Sequence, residues 1–187
     1  MTLTMNPTDE MTDEELVRAA QGGDPSARDG LVDRFYPPVF ALAVRMLGDR
    51  WEARDAAQET FLNAFAHLDT FLPERPFAPW IFAIAANRVR DRHRKRRPAE
   101  ISPADEASLA VSLPPEIPAE TEEDLARVRA AVDALPFDFK IVVALHFQQG
   151  CAYPEVAQAL HVTVNAVRIR LYRALGLLRK TLKESRP

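Results

Sequence analysis

Glycine is scarce in this chain, with six in 187 residues, and the fifteen prolines are confined mostly to joints between segments. No stretch sustains the alternation of apolar and polar residues that marks a half-buried strand. Together these features exclude a sheet protein and predict an all-α fold. Cysteine is nearly absent. The single Cys151 rules out an internal disulfide, and with only four scattered histidines there is no paired Cys/His spacing for a zinc site. Cys151 reads as a structural core thiol, with redox sensing as the alternative. Long apolar runs are missing as well: "WIFAIAA" and "IVVALHF" fall far short of the roughly 18 residues a membrane helix needs. The N-terminal "MTLTMNPTDEMTDEE" is acidic and lacks the basic start and apolar stretch of a secretory signal. The expectation is a cytoplasmic protein without membrane insertion.

What the chain does have is segregated charge. The formal net charge of -3 conceals "RVRDRHRKRR", which places Arg88, Arg90, Arg92, Arg94, Lys95, Arg96 and Arg97 within ten residues. From Pro98 to Asp124 there are eight acidic residues and no lysine or arginine. Proline, alanine, serine and glutamate dominate that stretch and no periodic apolar face crosses it, so residues 98–121 read as an extended linker. It divides the chain into an N-terminal domain, 1–97, and a C-terminal domain, 122–187, both small.

The joints are legible. Thr12 followed by Glu15 is a capping-box pattern that opens a first helix, closed by "QGGD". Asp24-Pro25 opens a second, running through Leu31 and Phe35. "YPPVFALAVRMLG" is expected to bend at its two prolines and continue to Gly48. Asp49 caps a helix with Ala57, Phe61, Phe65 and Leu68 at intervals of three and four, and Pro79 opens the helix that ends in the basic run. Beyond the linker, Leu125, Val128, Val132 and Leu135 mark one helix face, "DFKIVVALHFQQG" a second helix, "YPEVAQAL" a third and "VNAVRIRLYRALGLLRKTL" a fourth.

Three motifs carry chemistry. "PEVAQALHVTVNAVRIRLYRAL" has helix, break at His161 to Thr163, and helix, the spacing of a helix-turn-helix. Val167, Leu171, Ala174, Leu175, Leu178 and Leu182 fall on one stripe and should face the core. Asn165, Ile169 and Arg173 should then point outward, flanked by Arg168, Tyr172 and Ala166, with Thr163 as N-cap. Such a face suits base edges and phosphates, Ile169 by apolar contact with a thymine methyl. A plain αα-hairpin with a solvated basic face is the alternative. The basic helix calls for counter-charge, which nucleic-acid phosphate supplies. Phe77, Trp80 and Phe82 beside it suit either unstacked bases or the core. Lastly, "EARDAAQETFLNAF" sets Glu52, Asp55 and Glu59, with Gln58, on one side of a helix. It is a solvated acidic face or a docking face. No nucleophile, histidine or phosphate-binding glycine loop accompanies these carboxylates, so no catalytic residue, metal or cofactor is expected.

In this order the pieces resemble the extracytoplasmic-function sigma factors, the small two-domain branch of the bacterial sigma-70 family. The residues that carry the resemblance are "DEELVRAAQGGD", "YPPVFALAVRMLGDRWEARDAAQETFLNAF", "FAPWIFAIAANRVRDRHRKRR", and, past the linker, "LP" and "YPEVAQALHVTVNAVRIRLYRAL". The resemblance implies that Asp55, Gln58, Glu59 and Phe61 dock on RNA polymerase core. It implies that Trp80, Asn87, Arg88, Arg90, Arg92, Arg94, Lys95 and Arg96 meet the promoter's -10 element, Asn87 at a flipped base. Thr163, Asn165, Arg168, Ile169, Tyr172 and Arg173 would meet the -35 element, and an anti-sigma protein is an implied further partner. The sequence departs from the family where His161 replaces a turn glycine, Asn165-Ala166 replace Gly-Thr, and Ile169 replaces a small polar residue. Two rivals stand beside this reading: a helix-turn-helix regulator with an N-terminal effector domain, and an enzyme or RNA-binding adaptor using the basic helix.

Overall fold

The computed structural model describes residues 10–96 and 122–184, and among them all regular structure is helical, as expected. The chain separates into two compact units, one ending at Arg92 and the other starting at His93. The expected linker over 98–121, the helix stop at Pro98 and the basic residue Arg97 lie outside the described residues. Among the described residues no helix is long and apolar enough to cross a membrane.

The first unit holds α1 (Asp13–Gln21), α2 (Pro25–Leu47), α3 (Arg50–Ala66), a 3-10 turn (Leu68–Thr70) and most of α4 (Phe77–Arg96). The three N-caps expected from sequence form. The Thr12 hydroxyl accepts from Glu15 N–H while the Glu15 carboxylate accepts from Thr12 N–H at 2.7 Å. Donation to that carboxylate, from the Thr12 backbone N–H first and from the Thr12 hydroxyl second, holds the Glu15 carboxyl below its ordinary pKa. Asp24 accepts from Ser26 N–H at 2.8 Å, and Asp49 from the amides of Trp51 and Glu52 at 2.8 and 3.0 Å.

Helix α2 continues through Pro37 and Pro38 to its cap at Gly48, as expected, with both prolines inside its 23 residues. An internal proline costs a helix about 3 kcal/mol, but burial of Phe35 and Val39 on either side holds the helix to the core. Phe61, expected to dock on a partner, is only 6% exposed and packs with its ring centroid 6.1 Å from that of Tyr36 and 5.9 Å from that of Phe65. It stands four residues beyond buried Ala57, so the period that made it part of an apolar face also takes it inside. The connection into α4 is pinned by Gln21, whose Nε2 donates to the carbonyls of Leu68 and Phe71 at 2.8 Å each. Phe71 in turn packs on Phe77 and Trp80, with centroids 5.6 and 4.7 Å away, which sets the start of α4 two residues before the expected Pro79.

The second unit holds α5 (Glu122–Asp133), α6 (Phe137–Val143) with a π-helical turn (Ala144–Gln148), α7 (Tyr153–Leu160) and α8 (Val164–Glu184). Of the face expected on α5 and its end, Val132 and Leu135 are buried but Leu125 is exposed. The helix expected as one piece to Gly150 widens at Ala144 into the π turn, closed by Gln149 N–H on the Ala144 carbonyl at 3.2 Å. Cys151 is buried, and burial, with the Glu155 carboxylate nearby, pushes its thiol up to about 11. Almost no thiolate exists at neutral pH, which favours the structural reading over redox sensing.

The break between α7 and α8 falls where expected. Val162 N–H donates to the Ala157 carbonyl at 3.0 Å and His161 N–H to that of Gln158 at 3.3 Å, the paired bonds of a Schellman ending. His161 takes φ 53 and ψ 46, the one positive φ outside glycine among the described residues. On α8, Val167, Leu171, Ala174 and Leu178 are buried as expected, whereas Leu175 and Leu182 are half-buried. Ile169 overturns its expectation. It is 2% exposed, not outward, and Ala166 is buried with it. The apolar stripe of α8 alone does not reach Ile169, but a side chain without donor or acceptor gains about 1.5–3 kcal/mol by leaving water.

Stability measurements check both placements. His161→Gly should relieve the left-handed strain and stabilise the second unit by about 0.5–1 kcal/mol after glycine's own entropy cost. Native-state hydrogen exchange of α7 and α8 amides in the full chain reads this as slower exchange, and unchanged or faster exchange would contradict it. Ile169→Ala should cost about 2–4 kcal/mol in denaturant unfolding, as for a buried aliphatic cavity; a loss under about 0.5 kcal/mol would mean that Ile169 is in effect solvated.

Candidate nucleic-acid interface

Helix α4 has to close a core and carry the basic run on the same 20 residues. Its inner face is Phe77, Ile81, Phe82, Ala85, Ala86 and Val89, all buried. Phe77 and Phe82 are therefore core residues, unavailable to bases. Outward along one side stand Trp80, Ala83, Asn87, Arg90 and Arg94, at alternating intervals of three and four, with half-buried Ile84 and Asp91 beside them on the same side. Trp80 is half-buried against Phe71 and Phe77, with the second centroid 5.4 Å away, so it is both packed and partly open. Arg90 Nη2 donates to Asn87 Oδ1 at 3.1 Å. Arg94, Lys95 and Arg96 are exposed, and Arg88 and Arg90 half-buried. At 100° per residue, Arg88, Arg92, Lys95 and Arg96 turn about 80–180° from Asn87. The basic residues thus ring the helix end and do not form a single stripe. At the C-terminal end of a helix they also oppose its negative dipole end.

Arg92 is engaged within the unit. Its Nη2 lies 2.5 Å from Glu59 Oε1 on α3, with the arginine side chain 22% exposed. Two residues expected to serve different partners are each other's partner here. Elsewhere on α3, Asp55 and Gln58 are exposed, as expected. Sequence reasoning misses their neighbours: Trp51 is 70% and Leu62 71% exposed. Trp51, Asp55, Gln58 and Leu62 follow at four, three and four residues, one side of the helix, with Glu59 at its edge. The Arg54 guanidinium lies over the Trp51 ring, 4.5 Å from its centroid. The signal is present in the helical spacing, but Trp51 and Leu62 pass for core residues when only hydrophobicity is read.

On α8 the Thr163 hydroxyl accepts from Ala166 N–H at 3.1 Å, the N-cap expected. Asn165, Arg168 and Tyr172 are exposed, Tyr172 by 44%, and stand three and four residues apart. Arg173 is half-buried. With Ile169 inside, the outward face is Asn165, Arg168 and Tyr172, with Arg173 at its margin. Among the described residues no group of three or more His, Cys, Asp or Glu could hold a metal ion.

An acidic-apolar stripe, a basic helix with an aromatic-amide face and a helix-turn-helix now stand in fixed order along the chain. Residues 31–99 match sigma-70 region 2 and residues 125–178 match sigma-70 region 4. The ECF RNA polymerase sigma factor SigW of Bacillus subtilis is 29% identical over 185 residues, spanning 94% of this chain and 99% of that protein. The RNA polymerase sigma-H factor of Pseudomonas aeruginosa is 31% identical over 182 residues, 91% and 94% of the two chains. The solved structure of CnrH, in complex with the cytosolic domain of CnrY, superposes with TM-score 0.65 at 31% identity, covering 93% of this chain and 99% of that one. Similarity across both units displaces the rival of a helix-turn-helix regulator with an unrelated effector domain. The chain belongs to the extracytoplasmic-function branch of the sigma-70 family, the alternative sigma factors that direct bacterial RNA polymerase core to promoters in transcription initiation.

Proposed function

We propose that three helix faces divide the work of promoter selection. The stripe Trp51, Asp55, Gln58 and Leu62 on α3 takes the polymerase core, with Glu59 at its edge. The α4 face of Trp80, Asn87, Arg90 and Arg94 takes the opened -10 element, with Arg88, Lys95 and Arg96 on the flanking phosphates. Arg92, held by Glu59, braces α4 and is left out of the phosphate-contacting set. The α8 face takes the -35 element through Asn165, Arg168, Tyr172 and Arg173. Thr163 can still donate its hydroxyl proton to a phosphate while accepting from Ala166. Residues 1–97 and 122–187 form the two working domains, and the acidic sequence 98–121 joins them. The factor performs no chemistry of its own and acts in the cytoplasm. An anti-sigma protein is its restraining partner, a reading supported by the likeness to CnrH, solved with a bound protein.

The observation that carries the docking assignment is the pair of exposed apolar side chains, Trp51 and Leu62, at the two ends of an otherwise polar stripe. Large apolar anchors set among polar residues are what an interface uses for affinity, tryptophan above all. Binding of the full chain to purified core polymerase tests it. Trp51→Ala and Leu62→Ala should each weaken binding about tenfold or more, and Asp55→Arg should abolish it, with helical circular dichroism unchanged in all three. Glu59 is unsuitable for a charge reversal, since Glu59→Arg would also strand Arg92. Wild-type affinity in all three variants would return the stripe to ordinary solvated surface.

A further inference from the structure

The bond between Asn87 and Arg90 decides which half of the Asn87 carboxamide is on offer. A guanidinium carries donors only. The atom 3.1 Å from Arg90 Nη2 must therefore be the amide oxygen, and chemistry fixes the orientation of a group that could otherwise turn either way. Among the described residues no acceptor takes the Asn87 Nδ2 protons. The NH2 group is left for a ligand, on the same side of α4 as the partly open Trp80 ring.

We infer that Arg90 is a positioning residue for base selection, holding Asn87 Oδ1 so that the position Asn87 reads takes a base through a carbonyl oxygen and discriminates against adenine. Bidentate recognition of adenine by an asparagine needs Oδ1 and Nδ2 together, one accepting from the exocyclic amine and one donating to a ring nitrogen. Arg90 occupies one lone pair of Oδ1 and draws that atom to its own side, so the Nδ2 donor half is the one turned toward the base. Cytosine, thymine and guanine each offer a carbonyl oxygen; adenine offers none. This rests on the proposed reading of α4 as the face that meets the opened -10 element.

The test uses core polymerase reconstituted with the full chain and a promoter library randomised across the -10 element. Three variants are compared: Asn87→Ala, Arg90→Gln and Arg90→Lys. Glutamine can accept as well as donate, so it releases the amide, whereas lysine keeps a donor-only partner. All three substitute half-buried helix residues with good helix formers, and matched circular dichroism checks the fold. For the wild type we expect adenine to be depleted at one position, and for Asn87→Ala that preference to vanish. Arg90→Gln should raise adenine there by roughly fivefold, the worth of one ordinary hydrogen bond, and Arg90→Lys should keep the wild-type preference. If Arg90→Gln instead weakens all sequences alike and lowers the salt slope by about one unit with preferences intact, Arg90 is a phosphate contact and the inference is overturned. If Asn87→Ala alters no preference at any position, the reading of α4 as a base-reading face fails first and takes the inference with it.

Discussion

Each helix that carries function here must also close a small core, and that constraint settles which side chains are left to act. A unit of this size buries a modest fraction of its surface, so none of its helices can leave an apolar face unfilled. On α4 the buried set from Phe77 to Val89 recurs every three or four residues and rotates Trp80, Asn87, Arg90 and Arg94 to the other side. On α3 burial of Ala53, Ala57, Phe61 and Ala64 leaves Trp51, Asp55, Gln58 and Leu62 outside. The working faces are what remains after burial, and their residues have aligned spacing because the core residues do.

The Glu59–Arg92 pair is where two of those faces meet. With Arg92 only 22% exposed it is better shielded than an ordinary surface pair, but an ion pair of this kind is worth at most about 1 kcal/mol. Its importance is geometric. It joins the exposed side of α3 to the basic end of α4, so a change at Glu59 alters the charge environment of that helix end. It also gives Arg92 a counter-charge within the protein.

Much of this architecture is legible in the amino-acid sequence. The caps at Thr12, Asp24 and Asp49 depend on local side chain-to-backbone bonds, so sequence finds them directly, and the α7–α8 break is equally plain. The misses have common physical causes. A period analysis opens α4 at Pro79, and cannot see that packing of Phe71 on Phe77 and Trp80 starts the helix at Phe77. It also assumes 3.6 residues per turn, which the π turn at Ala144–Gln148 violates. Motif position gives Phe61 an outward role and the apolar stripe of α8 gives Ile169 one, yet both lie inside. Trp51 and Leu62 escape notice for the converse reason: hydrophobicity signals burial on average, and only a fold shows which large apolar residues are exceptions.

Selection of promoter sequences from a randomised duplex library tests the whole account most directly, run with the purified chain alone, with core polymerase alone and with both. The account predicts that only the mixture enriches DNA, with one sequence element read as duplex upstream and a second read as melted strand downstream, the latter reactive to permanganate. Enrichment by the chain without core, or none with it, would contradict the assignment of these three helix faces to promoter selection.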